Sequence, residues 1–294
     1  MGPTASGKTA LAEALAESTG AQLVNADAFQ VYRDLDIGTA KPEERAKYEL
    51  LDLKEPDQDY GLGEYLSDAH QVLTRVWTEQ RSAIVVGGTG LYVRALFEEY
   101  AELGPKPDAN LRSEIEELQN AQGLEAVLAE LAKLDPKAAE AVDRLNPQRV
   151  RRALERARLG PRRLALKLPP FRRFKCALSP SVQDLDARIE LRVQTMMAQG
   201  WIDEVRSLLA RGIHVAAPSM RAIGYLEIAR YLQGEAPLEG LASEIVRRTR
   251  RYAKRQRTWL RSEPYLIDLP HSMDDALTMA RQLILTGEGR IGDG

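Results

Sequence analysis

The sequence predicts an α/β fold: a P-loop NTPase-like core, with a parallel β-sheet flanked by helices, and an all-helical insertion domain. Three observations carry that expectation. A glycine-rich phosphate-loop pattern at residues 2–9 runs straight into an amphipathic segment; short apolar strand candidates alternate with helical patterns over the first hundred or so positions; and the stretch 107–169, rich in Ala, Leu, Glu and Arg, offers no strand. The expected domains are therefore 1–106 with 170–294, forming the core, and 107–169, forming the insertion.

In chain order, Gly2–Thr9 (GPTASGKT) is followed by a helix predicted over about Thr9–Thr19, with Leu11, Ala14 and Leu15 at helical spacing. Ala21–Asn25 is a short apolar run suited to a buried strand. Leu62–Gln80 reads as a helix, and Ser82–Val86 (SAIVV) as a compact buried strand ending at Gly87-Gly88. Prolines between Gly104 and Pro107 break the pattern ahead of the insertion. Lys175–Leu178 is a further strand candidate, after which helical periodicity returns over Leu185–Leu209, Ala222–Gln233 and Leu241–Arg261. The final TGEGRIGDG reads as a frayed tail. A phosphate loop normally follows a strand, and only Met1 precedes this one; the expectation is a start lying upstream, or a sheet without its usual first strand.

Composition narrows the classes. At 294 residues and 44% hydrophobic content the chain can bury a substantial core, which excludes a disordered or fibrous protein. One cysteine, Cys176, excludes a disulfide framework, and His70, His214 and His271 lack metal-ligand spacing. No apolar run approaches the ~20 residues of a membrane span, and no leader pattern opens the chain, so a soluble cytoplasmic protein without a membrane partner is expected. The net charge of −2 conceals an asymmetry. Residues 1–143 carry 13 Lys+Arg against 27 Asp+Glu, whereas residues 144–294 carry 28 against 16. That separation fits a polyanionic partner or two parts with different work.

The chemistry starts at GPTASGKT, a full match to G-x-x-x-x-G-K-[ST]. Backbone N–H groups of Gly2, Thr4, Ala5, Ser6 and Gly7 converge on an anion while Pro3 fixes the turn, Lys8 adds a point charge, and Thr9 offers a hydroxyl to Mg²⁺. The pattern specifies a diphosphate or triphosphate, ATP included, without choosing between them. Asp27 opens DAFQVYRDLDIGTAKP just beyond a predicted strand, where α/β proteins present their ligands, and it has Gln30 three positions on, the spacing of a capping box. Thr89 in GGTGLYVRAL is likewise either a helix cap or a site residue. Finally, Arg247, Arg248, Arg250, Arg251, Lys254, Arg255, Arg257 and Arg261 go right round one predicted helix with Tyr252 and Trp259 interleaved, which suits nucleic-acid phosphates or internal salt bridges.

These phrases, with QRVRRAL (Gln148–Leu154), MRAIGYLE (Met220–Glu227) and YAKRQRTWLR (Tyr252–Arg261), resemble the tRNA dimethylallyltransferase (tRNA isopentenyltransferase) family in both order and spacing. The resemblance implies transfer of a dimethylallyl group from dimethylallyl diphosphate to the N6 amine of the adenosine 3′ of the anticodon, in tRNAs reading codons that begin with U. It implies Asp27 as general base, Thr89 as orienter of the amine, and Gln30, with its neighbours Ala28 and Phe29, around the flipped adenine. Lys8, Thr9 through Mg²⁺, and Arg221 would hold the leaving diphosphate. Arg112, Gln148, Arg149, Val150, Arg151 and Arg152 would contact the tRNA anticodon stem-loop, with the insertion swinging over it, and Arg251, Lys254 and Arg255 would join that surface. A monomer is expected. Ala28 and Phe29 stand where Ser and Met are usual, Lys47-Tyr48-Glu49 replaces a paired-histidine phrase, and Asn146–Gln148 shortens another. Two other functions fit the residues: a P-loop kinase for a small metabolite or nucleotide, and an RNA-binding protein whose loop is a nucleotide switch.

Overall fold

The computed structural model describes residues 1–98, 108–160 and 167–286. It divides into two compact units, Met1–Glu98 with Leu168–Gly294, and Glu99–Lys167. The expected division at 106/107, the Gly104–Pro107 break and most of the C-terminal tail lie outside the described residues.

The first unit is α/β. Helix α1 (Lys8–Thr19) starts where Gly7 turns into the left-handed region (φ 92°), a conformation only glycine adopts without strain, and ends at Gly20 (φ 68°). Strand β1 (Gln22–Asn25) is the middle of a parallel sheet between β2 (Tyr48–Glu49) and β3 (Ala83–Val86). Helices α2 (Leu62–Thr78) and α3 (Gly90–Phe97) flank it, joined partly by stacking of Tyr65 on Tyr92 at 4.1 Å. The two-residue β2 has no hydrophobic alternation to announce it; parallel pairing to Leu23 and Val24 makes it a strand.

A second parallel pair joins β4 (Lys175–Leu178) to β5 (Leu266–Leu269). Met1 extends the ladder of β4: its amine donates to the Cys176 carbonyl, and its carbonyl accepts from the Leu178 N–H. Burial lowers the Met1 amine to about 6, opposed by Cys176. Of β3, expected to be a fully buried strand, only Val86 is buried. Its edge away from β1 borders a cavity of about 370 Å³ lined by Leu15, Val93, Leu96 and Leu283, among others. Strand β5 and helix α12 (Met273–Thr286), not anticipated from the sequence, pack with α1 around Leu11, Leu15, Leu269 and Ala276.

The remaining helices of this unit form its largest core. The helical periodicity over Leu185–Leu209 is carried by two helices, α8 (Val182–Ala198) and α9 (Trp201–Ala210), separated where Gly200 takes φ 97°. A 3₁₀ turn at Pro218–Arg221 leads to α10 (Tyr225–Leu232), and α11 (Leu241–Arg261) matches its predicted bounds. Trp201, Tyr225, Ile189 and Ile245 pack together with Val31, Tyr32 and Leu35, so the DAFQVYRDL segment is anchored in helical core.

The second unit contains α4 (Ala109–Gln122), α5 (Leu124–Leu134), α6 (Pro136–Ala141) and α7 (Pro147–Leu159), as the strand-free composition predicted. Asp108, Asp135 and Asn146 accept backbone N–H groups at three helix starts. Ile115, Leu131, Val150 and Leu154 form its core. Val150, expected at the tRNA contact, is fully buried there. No helix among the described residues is long and apolar enough to cross a membrane.

Candidate active site

The site assembles at the carboxyl ends of β1 and β3. Residues 2–7 make a compact loop: Ser6 N–H donates to the Pro3 carbonyl, Ala5 takes φ 60°, and a Cβ on Gly2 would fall 2.5 Å from Ser6 Oγ. With Lys8 and Thr9 the loop lines a cleft of about 410 Å³, closed on the far side by Lys41, Pro42 and Arg192. Lys8, Thr9, Pro42 and Arg192 also line a smaller chamber of about 60 Å³ that contains Asp27, Gln30 and Tyr252. A phosphate group in the cleft would thus share two cations with the carboxylate's chamber.

Asp27 stands in a turn rather than at a helix start. Asn25, 3% exposed, holds this turn by accepting the Asp27 N–H and donating to the carbonyls of Asp27 and Leu50. Asp27 Oδ1 accepts the Phe29 N–H, and no helix follows, so the capping-box reading does not hold. Gln30 instead directs its amide nitrogen to the carbonyls of Thr39 and Ala40, fixing a wall of the chamber; Ala28 and Phe29 complete the turn, with Phe29 packed on the helical core. Thr89 sits at the start of α3 without capping it. Its hydroxyl accepts the Ala28 N–H at 3.0 Å, tying the β3–α3 loop to the aspartate's turn. Gly87 permits this lacing, since a Cβ there would lie 2.1 Å from the Ala26 carbonyl oxygen.

Charge in the site is concentrated and partly dehydrated. Burial lowers the Lys8 ammonium to about 8, the Asp27 charge opposing that shift and Arg192 adding to it. Burial also lowers the Arg192 guanidinium, again against Asp27. Tyr252 is raised by burial and then by Asp27. Arg192, on α8, makes no ion pair among the described residues; composition could not single it out in a chain with 41 Lys+Arg, and only the approach of α8 to the loop places it there. The DIGTAKP wall is equally tertiary: Glu204 accepts N–H groups of Asp36, Ile37 and Gly38, and the buried Lys41 ammonium holds Asp36, Asp52 and the Tyr32 carbonyl.

Arg221 lies elsewhere. It is exposed and lines a separate cleft with Arg248, Arg251 and Arg255, so the structure does not bring it to the loop. The basic helix α11 is two-sided. Arg247, Arg248 and Arg250 pair with Glu244, Glu227 and Glu190, whereas Arg251, Lys254, Arg255, Arg257 and Arg261 carry no carboxylate partner among the described residues. Its inner face presents Ile245, Ala253, Gln256 and Leu260 to the protein. In the second unit Arg112 and Arg152 both engage buried Glu155, Arg149 pairs with Asp143 and Arg151 with Glu116, and Gln148 is exposed. No cluster of three or more metal-ligating side chains occurs among the described residues.

A glycine loop at a helix start stands beside a carboxylate and two cations beyond parallel strands, the arrangement in which α/β proteins present phosphorylated ligands. Comparison with known proteins narrows that class. Residues 30–263 match the family described as IPP transferase, and residues 1–53 that described as isopentenyl transferase. A tRNA dimethylallyltransferase of Stenotrophomonas maltophilia is 42% identical over 283 residues, covering 90% of this chain and 88% of its own length. One from Syntrophobacter fumaroxidans is 40% identical over 274 residues, covering 90% and 80%. The crystal structure of a tRNA isopentenylpyrophosphate transferase from Bacillus halodurans superposes with a TM-score of 0.72 at 34% identity, covering 97% of this chain and 94% of that one. The chain belongs to the IPP transferase family.

Proposed function

We propose that this chain transfers the dimethylallyl group of dimethylallyl diphosphate to the exocyclic N6 amine of the adenosine 3′ of the anticodon, in tRNAs that read codons beginning with U. The observation that carries the reading is the shared lining of the two cavities: Lys8, Thr9 and Arg192 reach both the loop's cleft and the chamber of Asp27. Leaving group and nucleophile would meet there.

The reaction forms an N6–C bond as the allylic C–O bond breaks; the electron pair leaves with the diphosphate and the amine proton goes to Asp27. Backbone N–H groups of residues 5–9, Lys8 and Arg192 stabilise the charge that grows on the diphosphate, in a pocket dry enough to lower the Lys8 pKa. Thr89, fixed by its bond from Ala28, orients the amine, and Gln30 shapes the wall against which the extruded adenine rests. Mg²⁺ suits this donor set, because it is held mainly by phosphate oxygens and water with one or two protein oxygens, here Thr9 Oγ1. When bound it neutralises diphosphate charge.

The unpaired cations of α11, joined by Arg221 through the cleft it shares with Arg251 and Arg255, serve the RNA backbone rather than the diphosphate. Gln148, Arg149 and Arg151 of the second unit also contact the tRNA. The core is of the P-loop NTPase-like kind, and the enzyme acts as a cytoplasmic monomer. Incubation with unmodified tRNA, dimethylallyl diphosphate and Mg²⁺ should yield N6-dimethylallyladenosine by nucleoside mass spectrometry. Absence of product together with ATP hydrolysis would replace this reading with a kinase.

A further inference from the structure

One buried side chain that lines the Asp27 chamber also bonds to both the phosphate loop and the loop before Thr89. Gln256, on the inner face of α11 and 8% exposed, accepts the Thr4 N–H of the phosphate loop through Oε1 at 2.9 Å and donates Nε2 to the Gly88 carbonyl at 2.9 Å. The orientation of its amide is dictated by its partners, since an N–H requires the oxygen and a carbonyl requires the nitrogen. Gly88 precedes Thr89, whose hydroxyl receives the Ala28 N–H beside Asp27. Thr4 lies in the loop proposed to grip the leaving group. Gly88 is packed close enough that a Cβ would come within 2.7 Å of Gln256 Nε2 and 3.4 Å of Asp27 Oδ2.

We infer that Gln256 is a positioning residue, a strut that sets the separation between the phosphate loop and the Asp27–Thr89 pair; this rests on the transfer reaction proposed above. Among the described residues no other hydrogen bond joins the two loops, so without the strut the phosphate loop is held by Met1 on β4 and by α1, and the Asp27–Thr89 turn by β1 and β3. Displacement of about 1 Å between reacting groups can cost on the order of a hundredfold in rate. A hydrogen-bonded glutamine at a buried position also explains why the helix carrying the RNA-facing cations has a polar residue on its inner stripe.

Wild-type enzyme forming product while Gln256→Met does so with kcat reduced roughly 10- to 100-fold, and with KM for dimethylallyl diphosphate and for tRNA within about threefold, is the expected result. A folded Gln256→Met with kcat within about twofold of wild type, or one whose loss lies in KM, overturns the strut. Product from neither enzyme would instead overturn the transfer reaction itself. Gln256→Glu gives an independent reading. Its carboxylate still accepts the Thr4 N–H but repels the Gly88 carbonyl, whereas the protonated acid donates to it. Burial and the Asp27 carboxylate raise that glutamate while the Lys8 ammonium and Arg192 lower it, so the ratio of its kcat to that of wild type at the same pH should climb several-fold as pH falls through its titration, between about pH 8 and pH 5.5. A flat ratio overturns the proposal.

Discussion

On the proposed function, Lys8 should make diphosphate binding a proton-linked event. In the ligand-free chain burial lowers its ammonium to about 8, despite the neighbouring Asp27 carboxylate. An unfolded chain still holds that proton where the folded one has released it, so the stability of the ligand-free protein should rise with pH from about 8 towards the ordinary lysine range and be insensitive to Lys8 below. Diphosphate reverses the preference, because it binds the charged form. Above pH 8 binding must take up a proton, and affinity should fall as 1 + 10^(pH − 8), roughly tenfold by pH 9 and thirtyfold by pH 9.5. Met1, lowered to about 6, and Tyr32, raised to about 12 by burial, lie outside that window. Calorimetric titration of inorganic diphosphate with Mg²⁺ between about pH 7 and 9.5, in buffers of different ionisation enthalpy, measures both affinity and proton uptake. Lys8→Met should abolish the slope, weaken binding at neutral pH by about 1.5–3 kcal/mol, and raise the melting temperature of the ligand-free chain. Affinity that stays flat to pH 9.5 without proton uptake would refute the placement of Lys8 against the phosphates.

Three further outcomes are expected. Asp27→Asn should abolish turnover while tRNA binding, measured by filter retention, stays within about threefold; near-full rate would reduce Asp27 to a turn residue. Arg192→Gln should weaken diphosphate binding by roughly tenfold or more and lower kcat, leaving tRNA affinity unchanged, and an unaltered diphosphate Kd would remove it from the site. Neutralising Arg251 and Arg255 together should flatten the dependence of log K on log salt by about 1.4–1.8, at ~0.7–0.9 per phosphate contact, whereas an unchanged slope would assign α11 to protein contacts alone.

Much of the fold was legible because periodicity reports local burial. The bounds of α11 and β4, the strand-free insertion and the loop-to-helix transition at Gly7 all follow from spacing within one segment. Elements defined by partners were not. Strand β2 is two residues long, β5 and α12 gain their identity by docking on β4 and α1, and Gly200 splits a continuous helical pattern through a backbone conformation that composition cannot reveal. The site divides the same way. Asp27 and Thr89 were candidates from their places beyond predicted strands, yet each also matched a helix-capping pattern, and only hydrogen bonds to Phe29 and from Ala28 show that neither caps.

The amino-acid order alone marked the candidate chemistry: a phosphate loop, a carboxylate beyond a strand, and a cation-rich helix, each a local pattern whose spacing carries its meaning. Assignment of individual side chains needed the folded chain. Arg192 and Arg221 are indistinguishable as arginines in sequence, but α8 brings the first against Lys8 and Asp27, while the 3₁₀ turn leaves the second in a cleft with three other arginines. Val150 became core and Gln256 became a link between loops for the same reason. Electrostatic and hydrogen-bonding roles depend on distances of a few ångströms between residues far apart in the chain, and those distances exist only after packing has fixed which helix faces which strand.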